Sequence, residues 1–184
     1  MKKIYLFGLI FTVISVSCQK KQINLYETQL NPLKVDLADI SLNSSSSTID
    51  LTKIQRLTPE QYSSLQLEKV KGLEGYELSD LCLGQILLEN KNGKILTIQV
   101  VTDGEITEYL LSYDKNGNMI DNLIVAYEDM VEYYSEVSSK IKSNEIIVQT
   151  INYTYDEINS DSGGTADTAI TKYQISPEFK FISN

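Results

Sequence analysis

The stretch from residue 84 to residue 127, GQILLENKNGKILTIQVVTDGEITEYLLSYDKNGNMIDNLIVAY, contains four apolar-rich runs with period-two alternation and a short turn signal between each pair. Asn-Gly and Asp-Gly tolerate the positive φ angles that tight hairpin turns require, so they strongly indicate β-hairpins. The three signals are Asn92-Gly93, Asp103-Gly104 and Asn116-Gly117. Three hairpin signals in succession predict a four-stranded antiparallel meander over residues 84–127.

The period-two pattern also assigns residues to the two faces of the central strands, because successive side chains of a strand point to opposite sides. The residues predicted to share one side are Leu96, Ile98 and Val100 in the second run, and Tyr109, Leu111 and Tyr113 in the third, with Ile106 and Leu110 opposite. Similar alternation continues over residues 131–141, 147–155 and 169–175. About seven or eight strands are therefore expected before the C-terminus.

Upstream of the strands, the sequence predicts one short helix near residues 59–66. Thr58 is a good N-cap, Pro59 suits the first helical position, and Gln61 stands where a capping box places it. The fold class is therefore mainly β, an antiparallel meander with one short N-terminal helix. A sheet curled into a barrel or a sandwich is favoured over an open flat sheet, because exposed strand edges invite association. Strand number and spacing do not distinguish barrel from sandwich.

Composition limits the function classes that this chain can serve. The 184 residues suffice for one domain with a real core, and 42% of them are hydrophobic. Lys and Arg total 16 against 25 Asp and Glu, and the resulting net charge of −9 disfavours nucleic acid as a partner. The chain has no histidine, which excludes Ser-His-Asp and Cys-His catalysis and histidine-containing zinc sites.

The first eighteen residues have the organisation of an export signal. Lys2 and Lys3 form a positive n-region, and residues 4–16 form an apolar stretch that is shorter than the roughly 20 residues of a membrane-spanning helix. The stretch Ser15-Val16-Ser17-Cys18 then resembles the lipobox of bacterial lipoproteins, in a relaxed form with serine where leucine is commonest. That resemblance implies a diacylglyceryl group on the thiol of Cys18, cleavage before it, and usually acylation of the new amine.

The resemblance divides the chain into a signal peptide (1–17), a lipid-anchored tether (18–48) and a single β domain (49–184). Loss of Lys2 and Lys3 with the signal peptide takes the net charge from −9 to −11. In the tether, "KVDLADISL" at residues 34–42 alternates well enough for a short strand laid on the domain. Two or three acyl chains anchor a protein stably, because each buried methylene contributes about 0.8 kcal/mol. The partner that the anchor implies is therefore a membrane.

Cysteine count leaves one alternative to the anchor open. In a plain secreted protein, Cys18 is retained and pairs with Cys82, whereas in a lipoprotein Cys82 is a lone, buried and inert thiol among leucines. The chain resembles lipoproteins of the Bacteroidetes in overall style. It lacks the acidic tract that often follows the cysteine of their surface-exported members, since Gln-Lys-Lys-Gln follows Cys18 here. The expected location is therefore the outer membrane, facing the periplasm.

Three polar stretches are candidates for chemistry. Residues 114–121 place oxygens on Asp114, Asn116, Asn118 and Asp121, but the glycine and glutamate positions of an EF-hand calcium loop are not met, and a hairpin turn explains the same residues. Residues 156–167 form a long acidic loop around Gly163-Gly164, suited to a solvated connection or to a weak cation or partner site. The third, residues 127–136, concentrates Glu128, Asp129, Glu132 and Glu136 with three tyrosines.

These observations favour a non-enzymatic, envelope-anchored binding module with a protein, peptide or small-molecule partner. They assign no catalytic residue, no metal site and no cofactor, and the one modified residue is Cys18. The alternative is a carboxylate-dependent enzyme acting on glycans or peptidoglycan, in which two acids such as Glu132 and Glu136 face each other across a cleft and one pKa is raised.

Overall fold

A computed structural model describes residues 40–43, 54–129, 131, 135–154 and 165–184. The described part contains one α-helix, α1 (Pro59–Ser64), two 3₁₀ helices (Leu67–Lys69 and Leu78–Asp80) and nine strands. The strands are β1 (Ile40–Asn43), β2 (Leu81–Asn90), β3 (Gly93–Val101), β4 (Glu105–Asp114), β5 (Met119–Asp129), β6 (Ser135–Lys142), β7 (Glu145–Thr154), β8 (Thr165–Ile175) and β9 (Phe181–Ser183). Among the described residues, no helix is long and apolar enough to cross a membrane.

The strands form one antiparallel meander, which confirms the predicted fold class. β2 to β9 follow one another in chain order across the sheet, and β1 pairs with β6. Within the described ranges no pairing joins β2 to β9, so the sheet is not closed into a barrel. The four strands predicted over residues 84–127 are β2 to β5. β1 overlaps the end of the short strand predicted at residues 34–42, whose first six residues lie outside the described residues.

The sheet folds back on itself between β5 and β6. These two strands pair at two positions, Tyr127 with Val137 and Glu128 with Glu136. Further along β6, the same edge pairs with β1 instead of β5. We call β2–β5 the front half and β6–β9 with β1 the back half. The inner faces of the two halves pack together as in a sandwich, in one cluster that includes Leu110, Val125, Ile141, Ile146 and Val148.

A second layer covers the outer face of the front half. α1 and the turns that follow it bring Leu65, Leu67 and Leu73 onto the sheet. They pack against the face that was predicted to be shared by the central strands. The prediction is confirmed, because its members all lie in that same cluster: Leu96, Ile98, Val100, Tyr109, Leu111 and Tyr113. Leu110 lies on the opposite side, as predicted. The central strands of the front half, β3 and β4, are therefore covered on both faces.

α1 begins where the sequence predicts, because its capping box is complete. The Thr58 hydroxyl accepts a hydrogen bond from the Gln61 amide, and the Gln61 side chain accepts one from the Thr58 amide. The helix ends at Ser64 rather than near residue 66, because Gln66 adopts a left-handed conformation with φ of 54°. That turn directs the chain back across the sheet.

The back half is covered on its inner face alone by the described residues. In β7 the buried residues are Ile146 and Val148, while the alternating set at Ile147, Ile151 and Tyr153 lies on the outer face and is half-buried. In β8 no residue is buried, and residues 165–170 are all exposed. The outer end of the β7–β8 pair, which β6 accompanies as far as Asn152, therefore extends beyond the core, and we call this pair the β7–β8 ribbon.

Candidate functional site

A polar groove of about 710 Å³ lies at one end of the front half. Three connections converge there: the end of α1, the β2–β3 hairpin and the β4–β5 hairpin. The lining residues are Ser63, Ser64 and Gln66 from the first, Glu89, Asn90, Gly93 and Lys94 from the second, and residues 113–118 from the third. We call this the end groove.

The side chain of Gln66 fixes the distance between two walls of the end groove. Its amide nitrogen donates to the Gly117 carbonyl at 3.0 Å, and its oxygen accepts from the Met119 amide at 3.2 Å and from the Lys69 ammonium at 2.6 Å. A non-glycine residue at positive φ carries a strain cost, which such contacts offset. Sequence reasoning missed Gln66, because nothing in its immediate neighbours signals a hydrogen bond to a turn about fifty residues away.

The floor of the end groove is rigid for two further reasons. The buried Tyr113 hydroxyl donates to the Leu65 carbonyl at 2.8 Å. A Cβ atom on Gly93 would lie 2.3 Å from the Tyr113 carbonyl oxygen, so β3 and β4 approach as closely as they do because position 93 has no side chain. The groove is thus built on packed backbone rather than on a long loop.

Residues 114–118 form the hairpin turn that the sequence pattern favoured over a calcium loop. The Asp114 carboxylate accepts hydrogen bonds from the Asn116 amide, the Asn118 amide and the Asn118 side chain, and these bonds hold the pKa of Asp114 below its usual value. Asp121 lies further along β5, where its carboxylate accepts from the Asn122 and Phe181 amides. Asp114 and Asp121 therefore act separately as acceptors for backbone groups.

Charge in the end groove is balanced. Lys94 forms an ion pair with Glu89 at 2.8 Å, and Asp114 lies next to Lys115 in the chain. The Asn90 amide nitrogen and the Lys115 ammonium contact no other described residue through a hydrogen bond or ion pair, and the exposed Asn116 side chain lies beside the Asp114 carboxylate. These groups offer both donors and acceptors to a ligand, and none of the lining residues is aliphatic.

Of the acids in residues 127–136, the structure places two opposite each other. Glu128 and Glu136 are direct neighbours across β5 and β6, and the Tyr153 hydroxyl donates to Glu136 at 3.4 Å. Glu132, Tyr133 and Tyr134 lie outside the described residues. Among the described residues, no group of three or more Cys, Asp or Glu side chains is placed to hold a metal ion.

Glu108 is a buried acid that sequence reasoning did not single out. It lies on β4 with 4% of its surface exposed, and burial raises the pKa of its carboxyl, although hydrogen bonds with Thr97 and Gln99 partly oppose the shift. It faces the inside of the sandwich, since it shares a side of β4 with Leu110. Its partners are therefore residues of the sheet, and it lies outside the end groove.

The prediction that Cys82 is buried is confirmed. The thiol is 1% exposed, and burial raises its pKa despite the nearby guanidinium of Arg56, which donates to the sulfur at 3.2 Å. The sequence did not reveal a cation near Cys82, because Arg56 is distant from it in the chain. An isolated antiparallel β-bridge brings the two residues together. A raised pKa keeps the thiol protonated at neutral pH, which makes it a poor nucleophile.

Two predicted sites lie outside the described residues. They are the lipidation site Cys18, with its signal peptide and most of the tether, and residues 156–164 of the acidic loop. No model of a known protein family matches the chain, and neither a curated protein nor a solved structure shows significant similarity to it. The residues of the chain itself are therefore the basis for a functional proposal.

Proposed function

We propose that this protein is a lipoprotein of the bacterial envelope, anchored through acylated Cys18 to the outer membrane and facing the periplasm, whose β domain is a non-enzymatic binding module. Support for the anchor comes from the paired lysines, the short apolar stretch and the small residues before Cys18. The tether between Cys18 and β1 has 21 residues, numbers 19–39, which at about 3.3–3.6 Å each is ample to clear the lipid headgroups.

The observation that carries the binding role is the end groove. Its lining offers amides, hydroxyls and balanced charges, and it offers no aliphatic pocket for an apolar side chain. An uncharged ligand with many hydroxyl groups, such as an oligosaccharide, can both donate to and accept from such a lining. Tyr113 is the one aromatic side chain among the described residues that line the groove, and its ring is buried. Stacking therefore adds little, and a Kd on the order of 1 mM is expected.

The groove is tested by a binding screen with one lining variant and one matched control. Asn116→Leu removes an exposed amide from the lining, whereas Lys91→Leu adds the same side chain on the β2–β3 turn outside the groove. The detergent-solubilised processed protein is titrated with neutral oligosaccharides, such as maltohexaose, mannohexaose and chitohexaose, and with polygalacturonate as an anionic comparator. We expect binding of a neutral oligosaccharide that weakens at least tenfold in Asn116→Leu and persists in Lys91→Leu.

Binding that the two leucine variants reduce equally would contradict the placement of the site in the end groove. Binding restricted to polygalacturonate would contradict a neutral ligand. The anchor is tested separately by the intact mass of the protein purified from membranes. Acyl chains on a chain that begins at Cys18 are expected, and an unmodified thiol or a retained signal peptide would contradict the anchor.

The alternative function, a carboxylate-dependent enzyme acting on glycans or peptidoglycan, is favoured by one observation. Glu128 and Glu136 are direct neighbours on adjacent strands, which brings two carboxyl groups close together, although the enzyme also requires them to flank a substrate bond. Under this alternative, hydrolysis of peptidoglycan or oligosaccharides is abolished by Glu136→Gln without loss of stability. We expect no hydrolysis by the wild-type protein, and measurable turnover would favour the enzyme over the binding module.

A further inference from the structure

The outer face of the back half is a sheet surface that no described residue covers. The strand register places on this face the even-numbered residues of β6 and β8 and the odd-numbered residues of β7. Its cationic and apolar members are exposed or half-buried: Lys140, Lys142, Ile147, Ile170, Lys172 and Ile182. We call these six residues the back face.

The lysines of the back face lie close together. Lys140 pairs with Ile147, and Ile147 pairs with Lys172, so the three side chains form one row across three neighbouring strands. A strand spacing of about 4.8 Å places the Cα atoms of the two lysines about 10 Å apart. Lys142 lies two residues from Lys140 on the same side of β6. All three lysines are exposed, and none of them forms an ion pair with a described residue.

Charge is divided unevenly between the two halves of the sandwich. Residues 54–129, which form the front half and its covering layer, carry six Lys or Arg against thirteen Asp or Glu, whereas the described residues of the back half carry four Lys against four Asp or Glu. On the outer side of the back half, Glu145 lies opposite Lys142, and Glu136 lies four residues, or about 13 Å, along β6 from Lys140. The back face is therefore cationic, in a chain whose net charge is −9.

The sandwich separates the back face from the acids of the covering layer. Glu60, Glu74 and Glu77 lie in the layer on the far side of the front half. Packed sheets are about 10 Å apart, which exceeds the Debye length of about 8 Å at physiological salt. An anionic surface in contact with the back face is therefore largely screened from these acids, although the net charge of the whole chain opposes such a contact.

The chain also enters the domain beside these lysines. β1 begins at Ile40, which pairs with Ile141, and Ser41 pairs with Lys140. The tether therefore joins the back half at the end of β6 where Lys140 and Lys142 lie. An anchor at Cys18 holds this end of the domain within reach of the lipid surface.

We propose that the back face lies on the membrane that carries the anchor, with its lysines against anionic phospholipid headgroups. Each lysine near an anionic membrane strengthens binding about fivefold. Ile170 and Ile182 are 63% and 51% exposed beside Lys172, and apolar side chains flanked by lysines suit the boundary between headgroups and acyl chains. The front half, which carries the end groove, then lies on the side away from the lipid. The proposed acylation of Cys18 brings the protein to the membrane, whereas the charge of the back face does not depend on it.

Lysine labelling by a neutral reagent tests this contact without any substitution. The acylated protein is inserted into vesicles of pure phosphatidylcholine or of equimolar phosphatidylcholine and phosphatidylglycerol, and it is treated with acetic anhydride. Mass spectrometry then gives a labelling rate for each lysine. We expect Lys140 and Lys172 to react at least fivefold more slowly in the anionic vesicles than in phosphatidylcholine. Lys91, exposed on the β2–β3 turn of the front half, is the internal reference and should react at equal rates in both.

A matched pair of charge reversals shows whether the lysines themselves hold the contact. Lys172→Glu should return the labelling rate of Lys140 in anionic vesicles to its value in phosphatidylcholine, whereas Lys91→Glu, the same change on the front half, should leave Lys140 slow. Equal slowing of Lys140 and Lys91, or equal rates for Lys140 in the two kinds of vesicle, would overturn the proposal. Slow labelling in native membranes but in neither kind of vesicle would also overturn it and would assign the back face to an acidic protein.

Failure of the anchor is distinguishable from failure of the back face. Intact mass reports whether Cys18 is acylated. If its thiol is unmodified, the full chain is coupled through that thiol to a maleimide-bearing lipid in the same vesicles, and the labelling is repeated. Cys82 is buried and does not compete for the maleimide.

Discussion

β4 and β8 are strands of almost equal length in the same sheet, with opposite surroundings. Eight of the ten residues of β4 are buried, whereas none of the eleven residues of β8 is. β4 lies between the α1 layer and the back half, and the outer part of β8 has no described layer on either face. Comparison of the two strands indicates that burial is concentrated where β4 lies, while the outer end of the β7–β8 ribbon contributes little to the core.

The largest expected difference between the two regions is the decrease in the free energy of unfolding when one apolar side chain is truncated to alanine. Leu110 is fully buried on β4, so Leu110→Ala should lower the free energy of unfolding by about 2–5 kcal/mol, because it leaves a cavity in a packed core. Ile170→Ala on β8 should change it by less than about 0.5 kcal/mol, because the side chain is already exposed. Urea unfolding of both variants measures the difference, and similar losses would show that the ribbon shares the core.

A smaller effect is expected from the cap of the helix that covers the front half. Thr58→Ala removes the hydroxyl that accepts from the Gln61 amide, and loss of such an N-cap costs about 1 kcal/mol. Thr165→Ala at the start of β8 is the matched control and should be nearly neutral, since Thr165 is exposed. Equal thermal midpoints for Thr58→Ala and wild type would mean that the α1 layer contributes little to the front half.

The smallest effect is confined to a pH range and involves Glu108. Because its folded pKa lies above the ordinary value of 4.5, the folded protein retains a proton on Glu108 at pH values where the unfolded chain has lost it. The free energy of unfolding should therefore fall as pH rises above about 4.5 and through the folded pKa. Glu108→Gln removes the charge and should be more stable than wild type at pH 7.

At pH values below the ordinary pKa of the glutamate, wild type and Glu108→Gln should converge, since the carboxyl is then neutral in both the folded and the unfolded state. Thermal denaturation at a series of pH values measures this convergence. A constant difference between the two proteins at every pH would mean that shape or hydrogen bonding, rather than charge, sets the contribution of Glu108.

Local signals in the sequence predicted the front half well. Turn dipeptides and period-two alternation located β2 to β5, and the capping box at Thr58 located α1, because each signal is carried by residues close together in the chain. The faces of β3 and β4 also followed, since buried and exposed sides alternate strictly along a strand.

The end groove and the exposure of the back half could not be predicted in the same way. Gln66, Asn90 and Asn116 line one groove because three distant connections meet at the same end of the sheet, and that meeting depends on tertiary packing. Similarly, alternation at Ile147, Ile151 and Tyr153 shows that they share a face of β7 but cannot show that no described layer covers it. The proposed anchor at Cys18 is the reverse case, because that proposal rests on the sequence alone.

Amide hydrogen exchange resolved by residue tests the contrast between the two regions most directly. In dilute, detergent-solubilised protein, the amides of β4 should exchange only through global unfolding. The amides of Ala166, Thr168 and Ile170 lie on the edge of β8 away from β7, where no described residue pairs with them, so they should exchange within the shortest measurable time. Protection at those three positions equal to that of β4 would contradict the account, because it would mean that the edge of β8 is already covered within a single copy.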